Sequence, residues 1–231
     1  MKTQGARPSS RGNGPGHVPQ AVASIAFAVL AMALLARHLQ PLPGDTLLAR
    51  LAVEHRPHFV VVVVQVITAT GTGAIPYVLA AVAGFLLGAQ ANSLPRRQAV
   101  FRTAAAVAVC AGWLALGQAL RFGIMTAIAR PRPPESDWIT HASRYSFPSG
   151  HATTSAMAAG IVIVALATRR PVGHRLWIAL VTCWAVSIGA SRIYLGVHWA
   201  TDVIAGWLLA LAWTLLGATV SAKTRTGSPG S

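Results

Sequence analysis

The sequence predicts an all-α integral membrane protein: a bundle of six transmembrane helices, with an extra interfacial helix before the second span. Three observations carry that expectation. Hydrophobic residues fill 54% of the 231 positions and charged residues only 10%, with a mean hydropathy of +0.54, whereas a soluble domain is about 25% charged. The apolar residues form long runs, the pattern of helices that cross a bilayer. The 19 Lys and Arg, set against 5 Asp and Glu, sit in short groups between those runs, as they do around spans. Such a chain cannot cover a water-facing surface, so a soluble globular enzyme is excluded. The bases are not gathered with aromatics on one polar face, so the positive balance does not point to nucleic acid. Cys110 and Cys183 lie inside apolar runs and read as small buried hydrophobes.

Residues 1–19 are rich in Gly, Pro and Ser and read as a disordered cytoplasmic tail. Ala21 to Ala36 is the first span. Its long basic lead-in, with no clear small-residue cleavage site after it, favours a retained helix over a secretory signal. The next apolar region runs from Phe59 to Ala89 and is divided by Gly71-Thr72-Gly73. An 18-residue helix covers about 27 Å, so this region is too long for one upright span and too short for two. The expectation is an interfacial or partly inserted helix over 58–70 and the second span over 74–90. Gly84 and Gly88 have the small-xxx-small spacing of a helix-packing face. Spans three to six are expected over 103–121, 152–168, 176–191 and 203–220. Residues 20–220 are thus one membrane domain, and 221–231 a flexible cytoplasmic tail.

Six spans put both termini on one side. That side receives Lys2, Arg7, Arg11, Arg96, Arg97, Arg102, Arg169, Arg170, Arg175, Lys223 and Arg225, the larger share of the bases. The positive-inside rule then makes it cytoplasmic, in a cytoplasmic (inner) membrane. The other side collects three polar segments: Arg130-Pro131-Arg132-Pro133-Pro134, Phe147-Pro148-Ser149-Gly150-His151, and Ser191 through Asp202. Ionisable groups at span ends are costly unless paired or used.

Arg132, Arg192 and Arg130 are permanent cations that fork onto oxyanions. Prolines stiffen the segment that carries two of them. Ser149 and Gly150 stand at a helix start, where free N–H groups and the dipole favour an anion. His198 and Asp202 are four apart and share a face if a helix begins there. A carboxylate on one imidazole nitrogen leaves the other free to attack. His151 is placed to donate a proton to a leaving oxygen. The implied chemistry is phosphoester hydrolysis through a phosphohistidine. His17, His38, His55, His58, His141 and His174 read as interfacial. Arg144 and Tyr145 either touch the substrate or anchor a loop.

Ser191-Arg192, His198 and Asp202, with Pro148-Ser149-Gly150-His151, resemble two of the three signatures of the phosphatidic acid phosphatase type 2 superfamily, membrane lipid phosphatases related to vanadium haloperoxidases. Arg132-Pro133 matches the end of the third. The resemblance spans residues 103–220. It implies His198 as nucleophile, Asp202 as its partner and His151 as acid. It also implies Arg132, Ser149, Gly150 and Arg192 as phosphate contacts, with no metal and no cofactor. The family pattern begins with a lysine seven residues before the arginine of the Arg-Pro pair, and here that position is Met125. Arg121, one helical turn earlier, and Arg130 are the candidate substitutes. The expected partners are a lipid phosphate or diphosphate and the bilayer. The head group enters from the outer face. The alternative is a non-catalytic membrane protein that binds or transports lipid phosphates. Oligomeric state is not legible.

Overall fold

The computed structural model describes residues 17–89 and 95–226. In chain order the helices are α1 (His17–Ala36), α2 (Pro43–Glu54), α3 (His58–Ala69), α4 (Ala74–Gly88), α5 (Arg96–Ile128), α6 (Gly150–Arg169), α7 (His174–Tyr194) and α8 (Ala200–Thr226), with a 3-10 turn at Glu135–Asp137. The described residues contain no strand. The all-α membrane class is as expected.

Helices α1, α5, α6, α7 and α8 are each long and apolar enough to cross a bilayer. The helix of the second span and the break before it fall where expected, but the helix is short. Helix α4 has 15 residues, only about 22 Å of rise, which falls short of a hydrocarbon core of about 30 Å. It reaches spanning length only with α3, and the two are bent by 50° across their break. The bundle therefore has five spans, or six if the bent pair counts as one. Gly73 takes a positive φ of 70° as the cap of α4, a conformation open to glycine at little cost.

Helix α2 falls where no span is expected. Proline stands in its first turn, where no N–H is needed. The Asp45 carboxylate accepts the Leu42 N–H at 3.0 Å, satisfying one of the orphan donors of the helix start. Helix α5 runs well past 103–121 at both ends, and its C-terminal part carries Arg121 and, in the extra turns, Met125 to the site. Helices α1 and α8 also outrun expectation, starting at His17 and ending at Thr226. The remainder of the two expected tails, 1–16 and 227–231, lies outside the described residues.

Helix α6 is the most enclosed of the spans, packed by α4, α5, α7 and α8. Leu114, Met157, Ala158, Ala165 and Ala210 are buried around it. Trp113 stacks on Trp213 at 4.4 Å between centroids. In lipid, burying such side chains gains little transfer energy, so close packing carries the association. Gly84 and Gly88 serve that packing as expected. A Cβ on either would stand 2.5 Å from the Cα of Val107 or Thr103 on α5. Large apolar side chains such as Phe59, Phe101 and Trp177 are exposed on the outside, where lipid tails would meet them. Cys110 is buried, but Cys183 lies on the exposed face of α7, so only one of the two is the buried hydrophobe expected.

One end of the bundle is elaborated. Ala129 ends α5 in the left-handed region at φ 53°, and Pro131 and Pro133 prevent its continuation. The segment to α6 folds back over the end, held by the Ser146 hydroxyl, which donates to the carbonyls of Arg130 and Pro131 at 3.2 and 3.0 Å. Between α7 and α8 the chain turns through Gly196 at φ 78°, where a side chain would meet the Asp137 carbonyl. These turns set His198 and Asp202 beside the starts of α6 and α8.

Candidate active site

A cavity of about 530 Å³ opens at that end. Its wall takes Arg121 and Met125 from α5, Gly150 and His151 from the start of α6, Arg192 from the end of α7, and Arg132 and His198 from the connecting segments. Sequence positions far apart thus share one space. Both imidazoles reach it.

His198 is nearly fully buried. Its Nε2 lies 3.0 Å from a terminal nitrogen of Arg132. A guanidinium only donates, so Nε2 is the acceptor and the ring proton sits on Nδ1. That nitrogen is 3.5 Å from Oδ2 of Asp202, a contact too long for a good hydrogen bond. Burial, then the charges of Arg132, Arg192 and Arg121, hold the imidazole well below its ordinary value, while a backbone hydrogen bond at Ser146 pulls it up. The result is a neutral ring on the cavity wall, its Nε2 lone pair held by an Arg132 N–H.

Arg132 spends its other donors on carbonyls: Val197 at 2.7 Å, Ser143 at 2.8 Å, Tyr145 at 2.9 Å and Arg144 at 3.1 Å. The guanidinium is thereby fixed in place, and the N–H aimed at His198 is the one an arriving oxyanion can take. Arg192 donates to the Thr68 hydroxyl of α3 at 3.0 Å. Arg121 donates to the Pro148 carbonyl at 3.2 Å and touches the Met125 sulfur at 3.5 Å. It also lies against Gly150, where a Cβ would stand 2.6 Å from its terminal nitrogen. Gly150 allows a close approach, and the group that approaches is Arg121. A helical turn separates Arg121 from Met125, and the long side chain spans it.

Two expected phosphate contacts stand elsewhere. Arg130 does not line the cavity. It is fully buried, paired with Asp45 at 2.9 Å and Asp202 at 2.5 Å, and it also donates to Thr201 at 2.8 Å. A guanidinium committed to two carboxylates has no fork left for substrate. Ser149 does not line the cavity either. Its N–H is given to the Asp202 carbonyl at 3.0 Å, and its buried hydroxyl is unpartnered. The first-turn N–H groups that follow it, at Gly150 and His151, stand at the wall.

Sequence reasoning missed several neighbours. Thr72, in the break between α3 and α4, has its hydroxyl 3.5 Å from Nε2 of His151. That break reads from sequence as punctuation alone. His141, expected at the interface, is on the cavity wall with Arg144, whose guanidinium lies 5.0 Å from the Phe122 ring centre. Asp45 carries no local signal of any role. Asp202 also accepts the Trp199 N–H at 2.9 Å, so it caps α8 while it faces His198.

The family model of the PAP2 superfamily matches residues 16–225. Phosphatidylglycerophosphatase B of Bacillus subtilis (strain 168) is 37% identical over 87 residues, covering 36% of this chain and 42% of that protein. Undecaprenyl-diphosphatase of Sulfolobus acidocaldarius is 39% identical over 84 residues, covering 36% and 33%. The aligned stretches span less than half of either relative. The crystal structure of a transmembrane PAP2-type phosphatidylglycerolphosphate phosphatase from Bacillus subtilis superposes with a TM-score of 0.75 at 23% identity, over 91% of this chain and 99% of that one. At that identity the likeness is one of fold.

Proposed function

The chain belongs to the PAP2 superfamily, and on that premise we propose that it is a membrane lipid phosphatase working through a phosphohistidine on His198. The observation that carries the reading is the state of His198: a neutral imidazole whose Nε2 accepts from Arg132, on the wall of a cavity that also holds His151 and four arginines.

Nε2 attacks phosphorus, and the bond from phosphorus to the ester or anhydride oxygen breaks. The positive charge that grows on the ring is met by Asp202 behind Nδ1. Arg121, Arg132 and Arg192 stabilise the oxygens as charge moves onto them. His151 is the group placed to give a proton to the leaving oxygen. It then takes one from the water that hydrolyses the phosphohistidine, and inorganic phosphate leaves. First-turn N–H groups of α6 support the anion throughout.

The substrate is a lipid phosphate or diphosphate. The two relatives act, by name, on a phosphatidylglycerophosphate and an undecaprenyl diphosphate, and both head groups offer the chemistry this cavity fits. The tail stays in the bilayer. The exposed bases Arg96, Arg97, Arg170 and Arg175, with the half-buried Arg169, lie at the opposite end of the bundle from the site, which supports an outward-facing site and cytoplasmic termini.

The test is phosphate release from detergent-solubilised protein on a panel of lipid phosphates. Wild type should turn over with chelator present and be inhibited by vanadate. His198→Ala should fold and release no phosphate. Full turnover by that variant excludes the nucleophile.

A further inference from the structure

Behind His198 lies a buried charge cluster whose residues do not line the cavity. Asp202, the group facing His198, shares a guanidinium with a second acid from the other side of the fold. Arg130 sits between them, 2.5 Å from Asp202 and 2.9 Å from Asp45, and all three side chains are fully buried. Thr201 closes the cluster. Its hydroxyl accepts from Arg130 at 2.8 Å and donates to Asp45, whose Oδ1 also takes the Thr201 N–H at 2.8 Å.

The formal charges decide what this can do. Arg130 with Asp202 alone would be a neutral pair. Its guanidinium would cancel the negative charge that the His198 ring needs once phosphorus binds Nε2. With Asp45 added, the cluster holds two carboxylates and one guanidinium, and one negative charge remains. The orientation of Asp202 leaves that charge where it acts: Oδ1 is given to Arg130, while Oδ2 faces His198 and the Trp199 N–H. Isolated buried charge is costly, and the guanidinium that pairs with Asp45 is the one it shares with Asp202, so the two acids have to be read as one balanced cluster.

We propose that Asp45 is a positioning residue for the nucleophile: it offsets Arg130, so that Asp202 presents an uncancelled negative charge to the His198 ring. The proposal rests on the phosphohistidine reading. It assigns a catalytic purpose to α2, which lies outside the three signature segments.

The experiment compares wild type, Asp45→Asn, the double variant Asp45→Asn with Arg130→Met, and His198→Ala. Each is assayed for kcat and KM on one lipid phosphate and for thermal stability in detergent. Asp45→Asn should lower kcat roughly ten-fold, the order for losing one unit charge near a reacting ring in the protein interior, with KM unchanged. The double variant removes an ion pair together and should recover a substantial part of that loss. A purely structural pair predicts the reverse, a double variant worse than either change alone. If Asp45→Asn fails to fold, the folded double variant decides: activity supports the proposal and inactivity overturns it. Wild-type kcat in Asp45→Asn, or a double variant no better than it, also overturns it. His198→Ala keeps the two readings apart. Turnover there defeats the phosphohistidine itself, whereas a dead His198→Ala beside an unaffected Asp45→Asn defeats only the role of Asp45.

Discussion

Adding one methyl group at Gly150 should cripple the site without harming the fold. The residue is the first of α6 and has no positive φ, so alanine is conformationally welcome and a somewhat better helix former. The new Cβ, however, would stand 2.6 Å from a terminal nitrogen of Arg121 and 3.0 Å from its central carbon. Those atoms end a flexible side chain, so the guanidinium retreats and the backbone stays. Retreat breaks the bond to Pro148 and moves the cation off the cavity wall. A hydrogen bond to a charged group contributes about 1.5–3 kcal/mol, and each 1.36 kcal/mol is ten-fold in rate. Gly150→Ala should therefore lower kcat/KM roughly ten- to a hundred-fold, with an unchanged or slightly higher Tm. The assay is a double-mutant cycle with Arg121→Ala, read as phosphate release. If Gly150 acts by seating Arg121, adding Gly150→Ala to Arg121→Ala costs almost nothing. Two losses that multiply would refute the reasoning and place the methyl in the path of the substrate instead.

Two further outcomes follow from the packing and from His198. The folded protein keeps His198 neutral well below its ordinary value, while an unfolded chain protonates it near pH 6.5. The unfolded state thus binds the extra proton, so this contribution to stability is present above about pH 6.5 and is lost as pH falls below it, by up to about 1.4 kcal/mol per pH unit. Thermal melts between pH 7.5 and 5 should show a shallower decline in His198→Gln, and equal slopes would refute the assignment. In the membrane core, Gly84→Ala puts a Cβ 2.5 Å from the Val107 Cα and 2.7 Å from the Ala106 carbonyl. Backbone cannot yield as a side chain does, so α4 and α5 separate, at a cost of about 1–3 kcal/mol. Gly112→Ala on α5, with nothing within 4 Å of its Cβ, is the control. A Tm for Gly84→Ala no lower than that of Gly112→Ala would count against glycine packing.

The sequence alone determined the class and which polar segments gather at one end of the bundle. Apolar runs of spanning length leave no other solvent for most of these helices, and local spacing carried His198 with Asp202, the start of α6 at Gly150, and the glycine face of α4. Each of those is a pattern of near neighbours, legible from periodicity, caps and breakers. The two helices at the second span and the glycine break between them fall where expected, but a glycine break reads equally as the end of one helix or as a bend within a pair. Helix α2 failed because its twelve residues carry no apolar run of spanning length.

Tertiary structure decided how the polar groups divide their partners. Arg130 and Arg132 are two residues apart and each precedes a proline, yet Arg132 lines the cavity and Arg130 is locked between Asp45 and Asp202, 85 and 72 positions away. Thr68 and Thr72 meet Arg192 and His151 from 124 and 79 positions away. Contacts at such separations leave no local period, because they arise only when helices packed for apolar reasons bring their ends together. There, each buried donor takes whichever acceptor the packing has set within reach.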